Sequence, residues 1–267
     1  MFPARPLGRV SFDNTGRVVL ISGGAQGIGR AICEAFAASG ASVVCLDVDA
    51  QSASTLPTGI SLVSGDTSSE ADCRDAVAAT VRQFGALDVL VNNAAIQPPA
   101  SYVRVDELPA ELWQRMLDVN LTGYTFLAKH ALRQMREQGS GVVVNLASGQ
   151  AHRTARKVPA YGPIKAANLL QAMQWGVEYA RDGIRVVSVS PGAIDTPLVR
   201  ASLAAQGGEA ELANRHPLGR LGRPDEVASA VLWLASSAAS FITATDLQVD
   251  GGLGAFGAFA DPFPQVG

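Results

Sequence analysis

The sequence predicts an α/β fold, a doubly wound parallel sheet with helices on both faces. Three observations predict it. Short apolar runs alternate with longer helical patterns through most of the 267 residues. The runs are nearly continuous in Val, Ile and Leu, as strands covered on both faces require. A glycine-rich turn, residues 21–29 (ISGGAQGIG), joins the first apolar run to the first helical pattern.

Strands are expected over 18–22 (VVLIS), 42–47 (SVVCLD), 60–66 (ISLVSGD), 87–94 (LDVLVNNA), 141–148 (GVVVNLAS) and 184–192 (IRVVSVSPG). The run at 247–252 (LQVDGG) offers a seventh. Helical patterns fill 30–40, 70–85, 110–139 and 165–183 between them. The last helix, over 224–237, opens with a proline at a plausible first position and two acids in its first turn. Two stretches are irregular: 196–217, rich in Ala and Gly and read as a mobile flap, and the tail 253–267, whose phenylalanines need cover. No linker or repeat divides the chain, so 1–267 is read as one domain.

Hydrophobic residues make up 48% and charged residues 17% of the chain, which argues for a compact core and against disorder. The net charge of −3 and the lack of a basic run argue against nucleic acid as a partner. No run approaches the roughly 18 apolar residues of a spanning helix, and no membrane partner is expected. Three cysteines without a signal peptide read as buried thiols of a cytoplasmic protein. His130, His152 and His216 lie far apart, and no Cys/His spacing suits a metal.

The glycine turn is where chemistry enters. Glycine lets another molecule approach the backbone, and the first N–H groups of the following helix are unpaired at its positive end. That combination binds phosphate. The spacing Gly23-x-x-x-Gly27-x-Gly29 differs from G-x-G-x-x-G, and a tight turn without a ligand is the bland alternative. Asp47 ends the second strand, 18 residues after Gly29, where an acid can accept from an adenosine ribose or simply be solvated.

Tyr161 and Lys165 are four apart and share a helix face. Pro163 between them is tolerable only in a first turn, so the pair belongs to a helix start. A free tyrosine, with a pKa of about 10, is a poor base. A neighbouring ammonium should lower that value and fit Tyr161 to accept a proton. Ser148 ends a strand, on the side of a parallel sheet where ligands bind.

From about Arg17 to Gly252 the chain resembles the short-chain dehydrogenase/reductase family. The residues that carry the resemblance are Gly23 to Gly29, Asp66, Asn92-Asn93-Ala94-Ala95, Asn120, Ser148, Tyr161-Gly162-Pro163-Ile164-Lys165 and Pro191-Gly192. The resemblance implies a seven-stranded Rossmann-like sheet and a nicotinamide cofactor. It makes Asn120, Ser148, Tyr161 and Lys165 the catalytic set, with Ser148 on the substrate oxygen and Asn120 holding a water that relays protons through Lys165. It assigns cofactor contacts to Gly23, Gln26, Gly27, Ile28, Gly29, Asp47, Val48, Asp66, Thr67, Asn93, Ala94, Ala95, Tyr161, Lys165, Pro191, Gly192, Ile194 and Thr196.

Three positions depart from the family's pattern. Ser22 stands where threonine is usual, Ala95 where the motif has glycine, and Val187 where asparagine is frequent. Acidic Asp47, with Gln26 and Val48 where NADP users carry a basic residue, predicts NAD. Substrate contacts are expected from Ser148, Gln150, Arg153, Arg156 and Tyr161. The loop after Ser148 carries His152, Arg153, Arg156 and Lys157, suited to an anionic or polyhydroxylated substrate, or else to solvent or a subunit contact. The expected reaction interconverts a secondary alcohol, or a sugar hemiacetal hydroxyl, and a carbonyl, on a sugar, polyol or anionic sugar. A 3-oxoacyl or steroid-type ketoreductase and a non-catalytic dinucleotide-binding regulator are the alternatives. A homotetramer is expected from the resemblance, with the 110–135 segment and Phe256, Phe259 and Phe263 as candidate contacts.

Overall fold

The structure is a computed structural model that describes residue 8 and residues 10–256. Seven strands form one sheet in the order β3-β2-β1-β4-β5-β6-β7. They are β1 (Val18–Ser22), β2 (Ser42–Asp47), β3 (Ile60–Ser64), β4 (Val89–Asn92), β5 (Gly141–Leu146), β6 (Ile184–Pro191) and β7 (Asp246–Val249). Every pairing is parallel; Leu20, for example, lies between Val44 and Leu90. The chain winds outward from β1 to β3 and then returns to place β4 against β1. That reversal opens a crevice beyond the carboxyl ends of the two strands.

Alternation along the strands splits the core into two layers. Val19 and Ile21 point to the face covered by α1 (Gly27–Ala38) and α9 (Pro224–Ala235), where Ile32, Phe36, Val231 and Leu234 meet them. Leu20, Val44, Leu90 and Val143 point to the other face. There they meet Val77 of α3 (Glu70–Phe84), Leu127 and Met135 of α5 (Gly123–Gln138) and Ala172 of α6 (Tyr161–Glu178). Each such Val, Leu or Ile side chain contributes roughly 1.5–3 kcal/mol when fully buried. A short helix, α2 (Ala50–Ala53), follows β2. All three cysteines are buried and free.

Two predicted elements need correction. The helical pattern over 110–139 is not one α-helix. It divides into α4 (Ala110–Leu117), a π-helical segment (Asp118–Thr122) and α5. The wider turn of a π segment rotates the side chains that follow, and such segments gather at functional sites. The stretch 196–217, expected to be irregular, holds α7 (Pro197–Arg200), a 3₁₀ turn (Leu203–Gln206) and α8 (Glu209–Asn214). The Thr196 side chain caps α7 by accepting from Val199 N–H, Pro197 fills its first position, and Glu209 and Glu211 suit the start of α8.

The strands are also shorter than their apolar runs. β4 stops at Asn92, which frees Asn93 and Ala94 to line the crevice. No helix among the described residues is long and apolar enough to cross a membrane. Phe259 and Phe263 lie outside the described residues.

Candidate active site

A cleft of about 590 Å³ opens over the carboxyl ends of the strands. Its first wall is the glycine turn. Gly23 has a φ of 66°, and a Cβ there would come within 2.7 Å of the Ala94 Cα. The turn is tied to β4 from behind. The Asn93 amide donates to the carbonyls of Ser22 and Gly23 at 3.0 and 2.9 Å, and the Ser22 hydroxyl accepts from the N–H groups of Asn93 and Ala94. The hydroxyl retained at position 22 therefore does the work available to threonine. No side chain caps α1, so its first N–H groups face the cleft end of the helix. These features fit the pyrophosphate of a dinucleotide.

Asp47 borders the same wall. One carboxylate oxygen accepts from Ala25 N–H at 2.9 Å and the other from Asp49 N–H at 3.0 Å, which fixes the group at the end of β2. Asp66 is fixed too, by Arg115 at 2.9 Å and by the Ser68 hydroxyl and N–H. The second ends of β5 and β6 supply the far side. Ser148 accepts from Gln150 N–H at 3.1 Å, so the strand end is capped into a 3₁₀ turn. The Ser148 hydroxyl also lies beside the Tyr161 phenol. Tyr161 opens α6 with Pro163 as its third residue, and Lys165 follows one turn later, as the spacing predicts.

The electrostatics of this trio differ from the expectation. Burial pushes the Tyr161 phenol well above its usual range, with nearby Tyr102 adding to the rise and the neighbouring Ser148 hydroxyl opposing it. Burial pushes the Lys165 ammonium down to about 7. The protein alone therefore does not lower Tyr161. Both groups are out of water, and burial by itself opposes the charge on each.

Most predicted site residues line the cleft: Gly23, Gln26, Gly27, Ile28, Asp47, Val48, Asp66, Thr67, Asn93, Ala94, Ala95, Pro191, Gly192, Ile194 and Thr196, together with Ser148, Gln150, Arg153, Tyr161 and Lys165. Three do not. Gly29 packs inward, where a Cβ would overlap the Gly23 carbonyl oxygen, so its small size seats α1 against the turn. Arg156 is not part of the cleft lining, and its neighbour Lys157 lines a separate shallow hollow. Asn120 is fully buried in the π segment, and its amide pairs with both the N–H and the carbonyl of Ile96 at 2.8 Å. The Asn120 backbone carbonyl accepts from the Asn168 amide at 2.8 Å. His152 is drawn off by Asp246 at 2.8 Å.

Several lining residues carried no motif. Gln97 and Tyr102 come from the loop after β4, Arg115 from α4, Ser202 and Arg215 from the 196–217 segment, and Leu253 and Phe256 from the start of the tail. Phe256, counted above as an assembly contact, borders the cleft. Buried His216 braces the loop after β6. Its Nε2 accepts from Ala193 N–H at 3.0 Å, and its Nδ1 lies 3.0 Å from the Leu212 carbonyl. Of the cations on the cleft, Arg215 is held by Glu211 and the Gln206 carbonyl. Arg115 is held by Asp66 and Ser68. The Arg153 guanidinium has no hydrogen bond or ion pair among the described residues.

Residues 23–254 match the family described as enoyl-(acyl carrier protein) reductase. A cis-4-hydroxycyclohexanecarboxylate dehydrogenase from Sinomonas cyclohexanicum is 41% identical over 250 residues, 88% of this chain and 96% of that relative. The ligand-free aldohexose dehydrogenase of Thermoplasma acidophilum superposes with a TM-score of 0.85 at 33% identity, over 94% of this chain and 98% of that one. The NADH complex of a 3-ketoacyl-(acyl-carrier-protein) reductase from Brucella melitensis gives 0.84 at 32% identity, over 91% and all of the respective chains.

Proposed function

Because the chain belongs to the short-chain dehydrogenase/reductase family and is an oxidoreductase of CH–OH groups, we propose that it oxidises a ring secondary alcohol to the ketone. NAD is the hydride acceptor and Tyr161 the base. The observation that carries this reading is the convergence of Ser148, Tyr161 and Lys165 on one cleft whose opposite wall is a phosphate-binding turn. Ser148 holds the alcohol oxygen beside the phenol. Tyr161 takes the hydroxyl proton while the C–H bond of the same carbon is broken. NAD, when bound, accepts the hydride and brings a positive charge. The Lys165 ammonium steadies the phenolate from the same helix face.

The choice of NAD rests on Asp47. Its fixed carboxylate suits a free ribose 2′-hydroxyl and would repel a 2′-phosphate. Gln26 and Val48 add no cation beside it. The Asn120 role in proton relay stays part of this proposal: its side chain anchors the Ile96 backbone, and its carbonyl, which accepts from the Asn168 amide, keeps a second lone pair for the relay water. A homotetramer and a reducing, cytoplasmic setting complete the reading, the latter supported by three unbridged buried thiols.

Arg153 narrows the substrate. It is the cleft cation with no partner among the described residues, and an arginine fork pairs with a carboxylate through two charge-assisted hydrogen bonds. A ring alcohol that carries a carboxylate, as in the name of the Sinomonas relative, matches that cation. A polyhydroxylated ring such as an aldohexose matches the polar amide of Gln150. Arg153→Ala should raise KM for cis-4-hydroxycyclohexanecarboxylate by roughly tenfold or more and leave kcat nearly unchanged, since the lost contact does not change in the transition state. KM for the neutral cis-4-methylcyclohexanol should hardly move. Equal effects on both alcohols would return Arg153 to the solvent.

A further inference from the structure

Lys165 is 1% exposed, yet its Nζ has fixed partners. It donates to the Leu146 carbonyl at 2.6 Å and to the Tyr124 hydroxyl at 3.0 Å. That hydroxyl donates in turn to the same Leu146 carbonyl at 3.1 Å, which leaves its lone pair for the ammonium. The Nζ also lies 4.8 Å from the centre of the Tyr124 ring and 5.7 Å from that of Tyr161. Tyr124 is wholly buried, belongs to the first turn of α5 directly after the π segment, and does not line the cleft.

We propose that Tyr124 is a positioning residue of the reaction: its phenol holds the Lys165 ammonium in its charged form and aims it at Tyr161. The proposal rests on the reading of Tyr161 as the base. A lysine buried without acceptors gives up its proton, and a neutral amine cannot steady a phenolate. The groups around Nζ are few. α5 contributes Tyr124, β5 contributes the Leu146 carbonyl, and α6 itself contributes Tyr161. Ser148 and Tyr102 face Tyr161 across the cleft. Among the described residues no carboxylate is bonded to Lys165, so the Tyr124 oxygen and ring supply what a counter-ion would otherwise give. Tyr124 suits this task because burial holds its own phenol protonated and neutral.

The decisive variant is Tyr124→Phe. It keeps the ring and its cation–π contact, removes one acceptor, and leaves no orphaned donor, since Lys165 still reaches Leu146. Lys165 should then lose its proton more readily and the Tyr161 phenolate should be less stabilised. In the pH profile of kcat for alcohol oxidation, measured with NAD and the ring alcohol turned over fastest, the acid limb should move alkaline by about one pH unit. The rate at neutral pH should fall roughly tenfold while KM for the alcohol changes less than about twofold. Site-specific 3-fluorotyrosine at position 124 keeps the fold and the hydroxyl but weakens its oxygen as an acceptor. It should give a smaller displacement in the same direction. A profile that superimposes on the wild type in either folded protein overturns the proposal. Tyr161→Phe is assayed alongside. If it retains wild-type turnover, the reading of the site fails and this proposal with it. If it is inactive while the Tyr124 variants behave as wild type, this proposal alone fails.

Discussion

Ala244 has a φ of 54° just before β7, in the left-handed region that favours glycine. Its position is dictated by packing: its N–H donates to the Val186 carbonyl at 2.8 Å, and a Cβ on Gly176 would lie 2.6 Å from its nitrogen. A left-handed L-residue costs about 1–2 kcal/mol, and glycine returns part of that gain through its freer unfolded chain. Ala244→Gly should therefore stabilise the protein by about 0.5–1 kcal/mol, seen as a rise of about 1–3 °C in Tm. An unchanged or lower Tm would mean that the methyl contributes packing that offsets the strain. At this scale the chemistry-bearing residues were legible because their spacing has meaning: Tyr161 and Lys165 one helical turn apart, Ser148 at a strand end. Tyr124, Asn168 and His216 were not. Their contacts join positions such as 124 and 165, or 193 and 216, and no local pattern encodes such pairs.

At the scale of elements, α6 carries the clearest conflict between stability and function. It buries Lys165 in order to serve the cleft. The folded pKa is pushed down to about 7 from an ordinary 10.5. The unfolded chain thus binds the extra proton between those values, and stability gains from rising pH across that window. The penalty of the buried lysine is full below about pH 7 and vanishes toward pH 10.5. Lys165→Met should abolish turnover yet raise Tm, most at pH 6 and least near pH 10. Leu146 keeps a donor in the Tyr124 hydroxyl, so the substitution strands no polar group. Thermal unfolding of both proteins across that range checks it; a gain that grows with pH would contradict the sign. The element order was legible from apolar runs alone, but the π segment was not. The periodicity of 110–139 is helical throughout, and the contacts within the π segment, such as those of Asn120 with the Ile96 backbone, join positions far apart in sequence.

For the whole molecule, the glycine turn, the parallel sheet and the crevice at the β1/β4 reversal follow one another from strand order. The surface adds an expectation. Leu170 and Val177 lie seven apart on one face of α6 at 65% and 74% exposure, and Phe241 is fully exposed near Trp233 of α9 in sequence. Apolar groups of this size, left in water, mark contacts between copies. Light scattering at micromolar concentration should give the mass of four chains, and a monomeric mass would contradict it.

The central claim is that this cleft transfers hydride from a ring alcohol to NAD with Tyr161 as base. Its most direct test follows the near-ultraviolet absorbance of reduced cofactor with cis-4-hydroxycyclohexanecarboxylate, cis-4-methylcyclohexanol and an aldohexose, each with NAD and with NADP. Wild-type protein should turn over at least one of these faster with NAD. Tyr161→Phe should still bind NAD while turnover falls by about 10²–10⁴-fold, the usual loss on removing a positioned base. Wild-type turnover in Tyr161→Phe, or a faster wild-type reaction with NADP, would contradict the account.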